Sequence, residues 1–412
     1  MRHVARLVGI ALCLLVLLTT CSAPGRGARI SGFVAAPTAV LGPTVQPTVT
    51  PAPGDLAGAP ALPIEAGQAT PPLAAMMSPA TTGQAPQDLA ARAAQMDSYL
   101  ATLAQQSSFS GAVLVAYKGQ VLLSRGYGLA NREEGRPASS TTRFRLASVT
   151  KPLTAIGVLR LVAAGKIGLD APICDYLDGC PAAWAPVTVA HLLSHSSGLP
   201  NYTDFAEFSA VEQLPATPDQ VVARFRDLPL GFTPGSIYHY TNSNYVLLGK
   251  IIERVSGLSY PDYMHQELFA PLGMADTGYD PGDFSPLNGT RGYAGGVLDI
   301  PLDTSNLYAA GGLYSTVEDL FKLAEALDAG RLLPDDLAQR MVTPAVGRYG
   351  LGWMIEQRGA NRLVYHPGSM SGAATWFGRY PDVGLTIIVL SNDYYADVYS
   401  AADYLASLVL GP

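Results

Sequence analysis

The chain predicts an α+β fold: a mainly antiparallel sheet flanked by helices, with a large all-helical insert. Two observations carry this. Apolar runs of β type stand at both ends of the foldable part, and a long stretch of helical period lies between them. The early runs, SGAVLVAY and VLLSRGYGL, are joined by Lys118-Gly119-Gln120, a hairpin signal. The late runs, LGWMIEQ, RLVYH, AATWFGRYP and GLTIIVLSN, follow one another with short breaks. Sequential strands with short connections pair antiparallel.

The elements follow in order along 412 residues. Met1 to Cys21 reads as a secretion signal, with Arg2, His3 and Arg6 ahead of a continuous apolar run from Leu7 to Leu18. That run is too short for a permanent membrane span. Residues 22–85 are rich in Ala, Pro, Thr and Gly and nearly uncharged, so they bury too little apolar surface to offset ordering entropy. They are expected to form a flexible tether. The folded domain is expected over 86–412, its sheet from 108–147 and 349–412 and its helical part over about 148–340. Asp88 to Gln105 and Val398 to Leu410 are expected helices at its two ends. Ser315 and Glu318, spaced as a capping box, predict a helix start at Ser315.

Composition excludes some functions. Net charge is −7, lysine occurs at only five positions (118, 151, 166, 250 and 322), and no basic run appears, which excludes a nucleic-acid partner. Cys174 and Cys180 bracket a turn-like loop, and in an exported domain two such cysteines form a disulfide. Neither a C-x-x-C pair nor HExxH is present, so no metal and no cofactor are expected.

Ser148-Val149-Thr150-Lys151 opens the stretch FRLASVTKPLTAIGVLRLVAAGKIGL. Ser and Lys three apart share one helix face. Pro152 suits a first turn, and Leu153, Ile156, Val158, Leu159, Leu161 and Val162 mark a helix buried on nearly all sides. A serine hydroxyl needs a proton acceptor to become a nucleophile, and a lysine whose pKa is lowered by burial supplies one. The alternative is a chance pair on a core helix.

Two further motifs are expected to converge on it. Tyr240-Thr241-Asn242 precedes an apolar helical run, with Thr241, Asn242 or Ser243 as the cap. A phenol beside a lysine is expected to have a lowered pKa and to share a proton relay, while Asn242 holds the lysine and a substrate amide. The alternative is an ordinary cap beside a core tyrosine. His366-Pro367-Gly368 follows RLVYH, and Gly368 and Ser369 are expected to let a substrate backbone approach the strand edge. The alternative is a Gly-rich connection with an exposed histidine. His191, His195, His239 and His265 are read as structural.

The order S-x-x-K, Y-x-N, H-x-G resembles the serine β-lactamase and penicillin-binding-protein superfamily in its class C-like branch. HLLSHSSGL at 191–199, GGLYST at 311–316 and the strand ending Leu390-Ser391-Asn392 fit as well. The resemblance spans about residues 88–410. It implies a β-lactamase/transpeptidase-like fold with Ser148 as the acylated nucleophile, Lys151 as its proton partner and Tyr240 as a relay. It also implies substrate contacts from Asn242, His366, Gly368 and Ser369, and an oxyanion hole from the N–H groups of Ser148 and Ser369. His366 stands where class C β-lactamases usually carry lysine. A histidine is a part-time cation with an ordinary pKa near roughly 6.5, so it is expected to hold a substrate carboxylate less firmly. Leu18-Thr19-Thr20-Cys21 resembles a bacterial lipobox, implying lipidation at Cys21, although Thr20 departs from the usual small residue.

The expected function is an exported serine hydrolase acting through an acyl-enzyme on small or peptide esters and amides. Esterase or D-Ala-D-Ala carboxypeptidase action, including on cell-wall peptide, ranks above true β-lactamase action. The alternative is a non-catalytic peptidoglycan or amide sensor of the same fold. The G-x-S-x-G elbow of α/β-hydrolases is absent.

Overall fold

The computed structural model describes residues 86–411. The expected signal segment with Cys21 and the expected tether over 22–85 lie outside the described residues. Helix α1 (Pro86–Gln105) leads into β1 (Gly111–Tyr117) and β2 (Gln120–Tyr127). Lys118 and Gly119 join these strands with φ of 51° and 76°, the left-handed pair that a two-residue hairpin turn requires. Further on come α2 (Thr150–Ala163), α3 (Asn242–Ser256) and α4 (Val317–Asp328). The chain then returns as β3 (Met354–Arg358), β4 (Asn361–Met370), β5 (Ala373–Tyr380), β6 (Leu385–Ser391) and the closing helix α5 (Val398–Leu410).

These six strands form one sheet in the order β3-β4-β5-β6-β1-β2, every pair antiparallel. The two ends of the domain therefore meet at the β6–β1 pair, where Gly111 stands opposite Ser391 and Leu114 opposite Ile388. Side chains alternate across the strands, so each strand feeds two cores. Ala112, Leu114, Phe377, Ile388 and Leu390 face the helical insert, while Val113, Val115, Trp376, Ile387 and Val389 face α1 and α5. Burial on both sides explains the unbroken apolar reading of GLTIIVLSN.

Several boundaries differ from expectation. The late strand does not stop at His366. It continues through Pro367 and Gly368 to Met370, paired with β5 (Pro367 opposite Trp376). Beyond Tyr365, β3 no longer accompanies it, so residues 366–370 form a sheet edge, where a proline's missing N–H is tolerated. The insert carries short strands as well as helices: Leu313–Ser315 pairs with Phe144–Arg145 and with Gly278–Tyr279. The helix after it is capped one residue later than expected. Thr316 accepts from Asp319 N, while Ser315 Oγ lies 2.7 Å from Thr277 Oγ1. Cys174 and Cys180 lie with Cα atoms 5.3 Å apart and their sulfurs in bonding contact.

Candidate active site

Ser148 sits in a short 3-10 turn (Ala147–Val149) that runs into the first turn of α2. Ala147, just before it, is held at φ 48°, a costly conformation for a non-glycine residue and one that recurs where a side chain must be aimed. α2 is buried from Thr150 to Leu161, including Lys151 at 0% exposure. One turn from Ser148, Lys151 donates from Nζ to Ser148 Oγ (3.1 Å), Asn242 Oδ1 (2.8 Å) and the Ala310 carbonyl (2.9 Å). Three acceptors match three ammonium protons. Burial nevertheless holds the lysine pKa well below its ordinary value, so a neutral amine is within reach.

Tyr240 and Asn242 arrive together from the start of α3. Thr241 is the cap, its side chain accepting from Ser243 N, and this puts the two flanking residues at the cleft. Tyr240 donates its hydroxyl proton to Ser148 Oγ at 2.7 Å. Lys151 Nζ stands 4.7 Å from the centre of its ring rather than beside its oxygen. The expected lowering of the phenol pKa is therefore corrected: burial pushes it up, and the hydrogen bond to Ser148 offsets only part of that. Tyr240 is a neutral donor. Asn242 is set by Asn201, whose side chain accepts from its backbone N–H (2.9 Å), and Asn242 Nδ2 donates to Thr203 Oγ1 (3.1 Å).

The β4 edge behaves differently from its sequence reading. His366 is 2% exposed. Its Nδ1 donates to the Pro367 carbonyl (2.6 Å) and its Nε2 accepts from the Tyr349 hydroxyl (3.0 Å). No ring nitrogen remains for a substrate. Burial, aided by the Lys151 charge, lowers its pKa to about 3, so it is neutral rather than a part-time cation. The expected part-time positive charge on His366 is thereby corrected. Gly368 has a steric reason to be glycine. A Cβ there would lie 2.5 Å from the Leu146 carbonyl oxygen and 3.0 Å from Ser148 N. Its small size lets the sheet edge touch the nucleophile's own loop. Ser369 is exposed and lines the cleft beside Asn242, with Thr203, Phe208 and Tyr394.

Sequence reasoning missed the support behind these groups. Ala310 and Thr203 come from short 3-10 turns, Tyr308–Ala310 and Tyr202–Asp204, and Asn201 stands at the N-cap of the second; none lies within a motif. His195 does, within HLLSHSSGL, and its structural reading stands. Fully buried at φ 56°, it packs its ring 4.4 Å from that of Tyr240 and accepts at Nδ1 from Thr241 N (3.2 Å). Burial, then the charge on Lys151, keeps it neutral. His191 completes a helix cap by accepting from Thr188 N.

The arrangement suits acyl transfer. It holds a hydroxyl, a buried amine able to take its proton, and a neutral phenol donor.

Comparison with known proteins agrees with that chemistry. A family model described as Beta-lactamase matches residues 89–410. The chain is similar to esterase EstB of Burkholderia gladioli, 31% identical over 371 residues, covering 75% of this chain and 92% of that one. It is similar to the putative penicillin-binding protein PbpX of Bacillus subtilis, 27% identical, covering 70% and 72%. Among solved structures, the penicillin-binding protein from Bacillus halodurans matches with a TM-score of 0.66 at 31% identity, covering 74% of this chain and 99% of that one. This chain therefore belongs to the beta-lactamase family and is a serine hydrolase of that superfamily.

Proposed function

We propose that the protein is an exported hydrolase that cleaves small esters or amides through an acyl-enzyme on Ser148, with esterase or peptidase action ahead of β-lactamase action. The observation that carries this is the position of Ser148 Oγ, 3.1 Å from a buried, pKa-lowered Lys151 and 2.7 Å from Tyr240. Neutral Lys151 takes the Ser148 proton along that 3.1 Å line as Oγ bonds to the substrate carbonyl. The N–H groups of Ser148 and Ser369 stabilise the oxyanion. Tyr240 donates its proton to the departing oxygen or nitrogen and is left as a phenolate, with Lys151 holding the Ser148 proton as an ammonium. Water then repeats the sequence in reverse roles and releases the acid.

Ranking β-lactams lower rests on His366. A neutral, internally bonded ring is a poor partner for the carboxylate that such substrates carry. Export, lipidation at Cys21 and a Cys174–Cys180 disulfide in the oxidising exterior complete the reading, supported by the basic-then-apolar start and the paired cysteines.

A panel of p-nitrophenyl esters, nitrocefin and D-Ala-D-Ala peptides, with mass spectrometry of the trapped enzyme, tests it. The expected result is an acyl or fluorophosphonate adduct on Ser148, lost in Ser148→Ala while the fold persists. An adduct on another residue overturns the assignment. A sensor without catalysis would show ligand binding with no turnover of any substrate.

A further inference from the structure

The turn that gives Lys151 its Ala310 acceptor is gripped by α2 itself. In the 3-10 turn Tyr308–Ala310, Tyr308 sits at φ 44°, a conformation that persists in a non-glycine residue only where its surroundings impose it. α3 admits the turn closely: a Cβ on Gly249 would lie 2.4 Å from the Tyr308 ring and 2.6 Å from the Ala309 Cβ. α2 then holds the same segment with Thr150, Lys151 and Thr154, all fully buried. Thr150 Oγ1 accepts from Leu313 N (3.2 Å), Lys151 Nζ donates to the Ala310 carbonyl (2.9 Å), and Thr154 Oγ1 donates to the Ala309 carbonyl (2.8 Å). Thr154 has one hydroxyl proton. With it committed to Ala309, the Tyr260 hydroxyl, 2.7 Å away, is the donor to Thr154 Oγ1. The Thr150 carbonyl, at 3.2 Å, is the longer and weaker alternative acceptor. A directed chain therefore runs from Tyr260 through Thr154 to Ala309, one peptide from the carbonyl that holds Lys151.

That carbonyl matters because of what a neutral amine presents: two N–H bonds and a lone pair. With the N–H bonds given to Asn242 Oδ1 (2.8 Å) and the Ala310 carbonyl (2.9 Å), the lone pair is left facing Ser148 Oγ at 3.1 Å. A displaced Ala310 frees the amine to turn away. We propose that Thr154, backed by Tyr260, is a positioning residue for acylation: it fixes the Tyr308–Ala310 turn so that the Ala310 carbonyl aims the Lys151 lone pair at Ser148. The proposal rests on the acyl-enzyme reading of Ser148 and adds to it a residue outside the three motifs. Thr154 acts through Ala309 and Ala310 and exchanges no proton with substrate.

The test measures the rate constant for fluorophosphonate labelling of Ser148 against pH on the full chain, with Tm as the measure of folding. Labelling rises with pH as Lys151 loses its proton. The titratable groups around it, Tyr240, Tyr245, His195 and His366, are kept uncharged by burial, so the rise belongs to Lys151. Thr154→Val keeps the shape and removes the hydroxyl. Its plateau should be about tenfold lower, and its midpoint should fall, because an ammonium with a displaced acceptor is less stable. Thr154→Ser should restore both. Tyr260→Phe leaves Thr154 its bond to Ala309 and should cost about threefold. Ile156→Val, buried on the opposite face of α2, should lower Tm and leave the profile unmoved. A Thr154→Val plateau within about twofold of wild type, a midpoint that does not fall, or a loss that Thr154→Ser shares overturns the proposal, while labelling of Ser148 leaves the hydrolase standing. If Thr154→Val does not fold, a wild-type profile in Tyr260→Phe overturns it equally. A wild-type chain that takes no label on Ser148 overturns the acyl-enzyme reading instead.

Discussion

The N-terminus of α2 and the edge of β4 each bury a nitrogen base against the nucleophile's loop. Lys151 and His366 are 0% and 2% exposed, and burial lowers the pKa of both. Their consequences differ. Lys151 touches Ser148 Oγ, so its tendency to lose a proton becomes available to the reaction. His366 is bonded to Tyr349 and to its neighbour's carbonyl, so the same tendency only keeps it neutral and in place. A depressed pKa marks a buried base. Contact with the reacting atom decides whether it is a catalytic one.

The largest expected effect breaks the first region. Lys151→Met keeps volume and removes the proton acceptor, so acylation should slow by roughly a hundred- to ten-thousandfold. Stability should change little, because relief from burying an amine is offset by leaving Asn242 Oδ1 and the Ala310 carbonyl without their donor. Fluorophosphonate labelling rates and Tm read the two effects separately. Labelling as fast as wild type would remove Lys151 from the mechanism.

Gly368→Ala tests the contact between the regions. Its Cβ would meet Thr375 Oγ1 at 2.3 Å and the Leu146 carbonyl at 2.5 Å, so strand or loop must move. The expected cost is about 1–3 kcal/mol of stability. A displaced nucleophile should lower kcat by up to about a hundredfold. Wild-type kcat in a folded variant would show that the close approach does not position Ser148.

The mildest effect concerns His366 and acid. Its pKa is 6.5 when unfolded and about 3 when folded. Between these values the unfolded chain binds more protons, so stability rises with pH across that window and is lost as pH falls through it. His195 acts in the same direction. His366→Gln should therefore flatten, without abolishing, the acid slope in urea-unfolding free energies. Between about pH 5 and 8 the activity profiles for neutral and anionic esters should share one shape, since His366 does not titrate there. A divergence near pH 6.5 for anionic esters alone would restore the charged histidine.

These cases show which parts of the site were legible. Ser148 and Lys151 were readable because an i, i+3 spacing on an apolar helix determines its own geometry. Tyr240 and Asn242 were readable as a pair, since a capped helix start projects both from one place. The β4 residues were misread because RLVYH and HPGS look like strand and loop, and only pairing with β5 shows that the strand runs on through a proline.

By itself the sequence determined the elements and their local order: a hairpin, a core helix starting beside Ser148, four late strands and a closing helix. Periodicity and turn chemistry act over a few residues, and they are written into the chain. Only the tertiary structure decided the joining of β6 to β1 and the meeting of Ala310, Asn201 and Thr203 with the motif residues. It also decided the sign of the Tyr240 shift and the neutrality of His366. Those outcomes depend on burial and on partners distant along the chain, as Ala310 is from Lys151 at 159 positions, and desolvation outweighs what neighbouring residue types suggest.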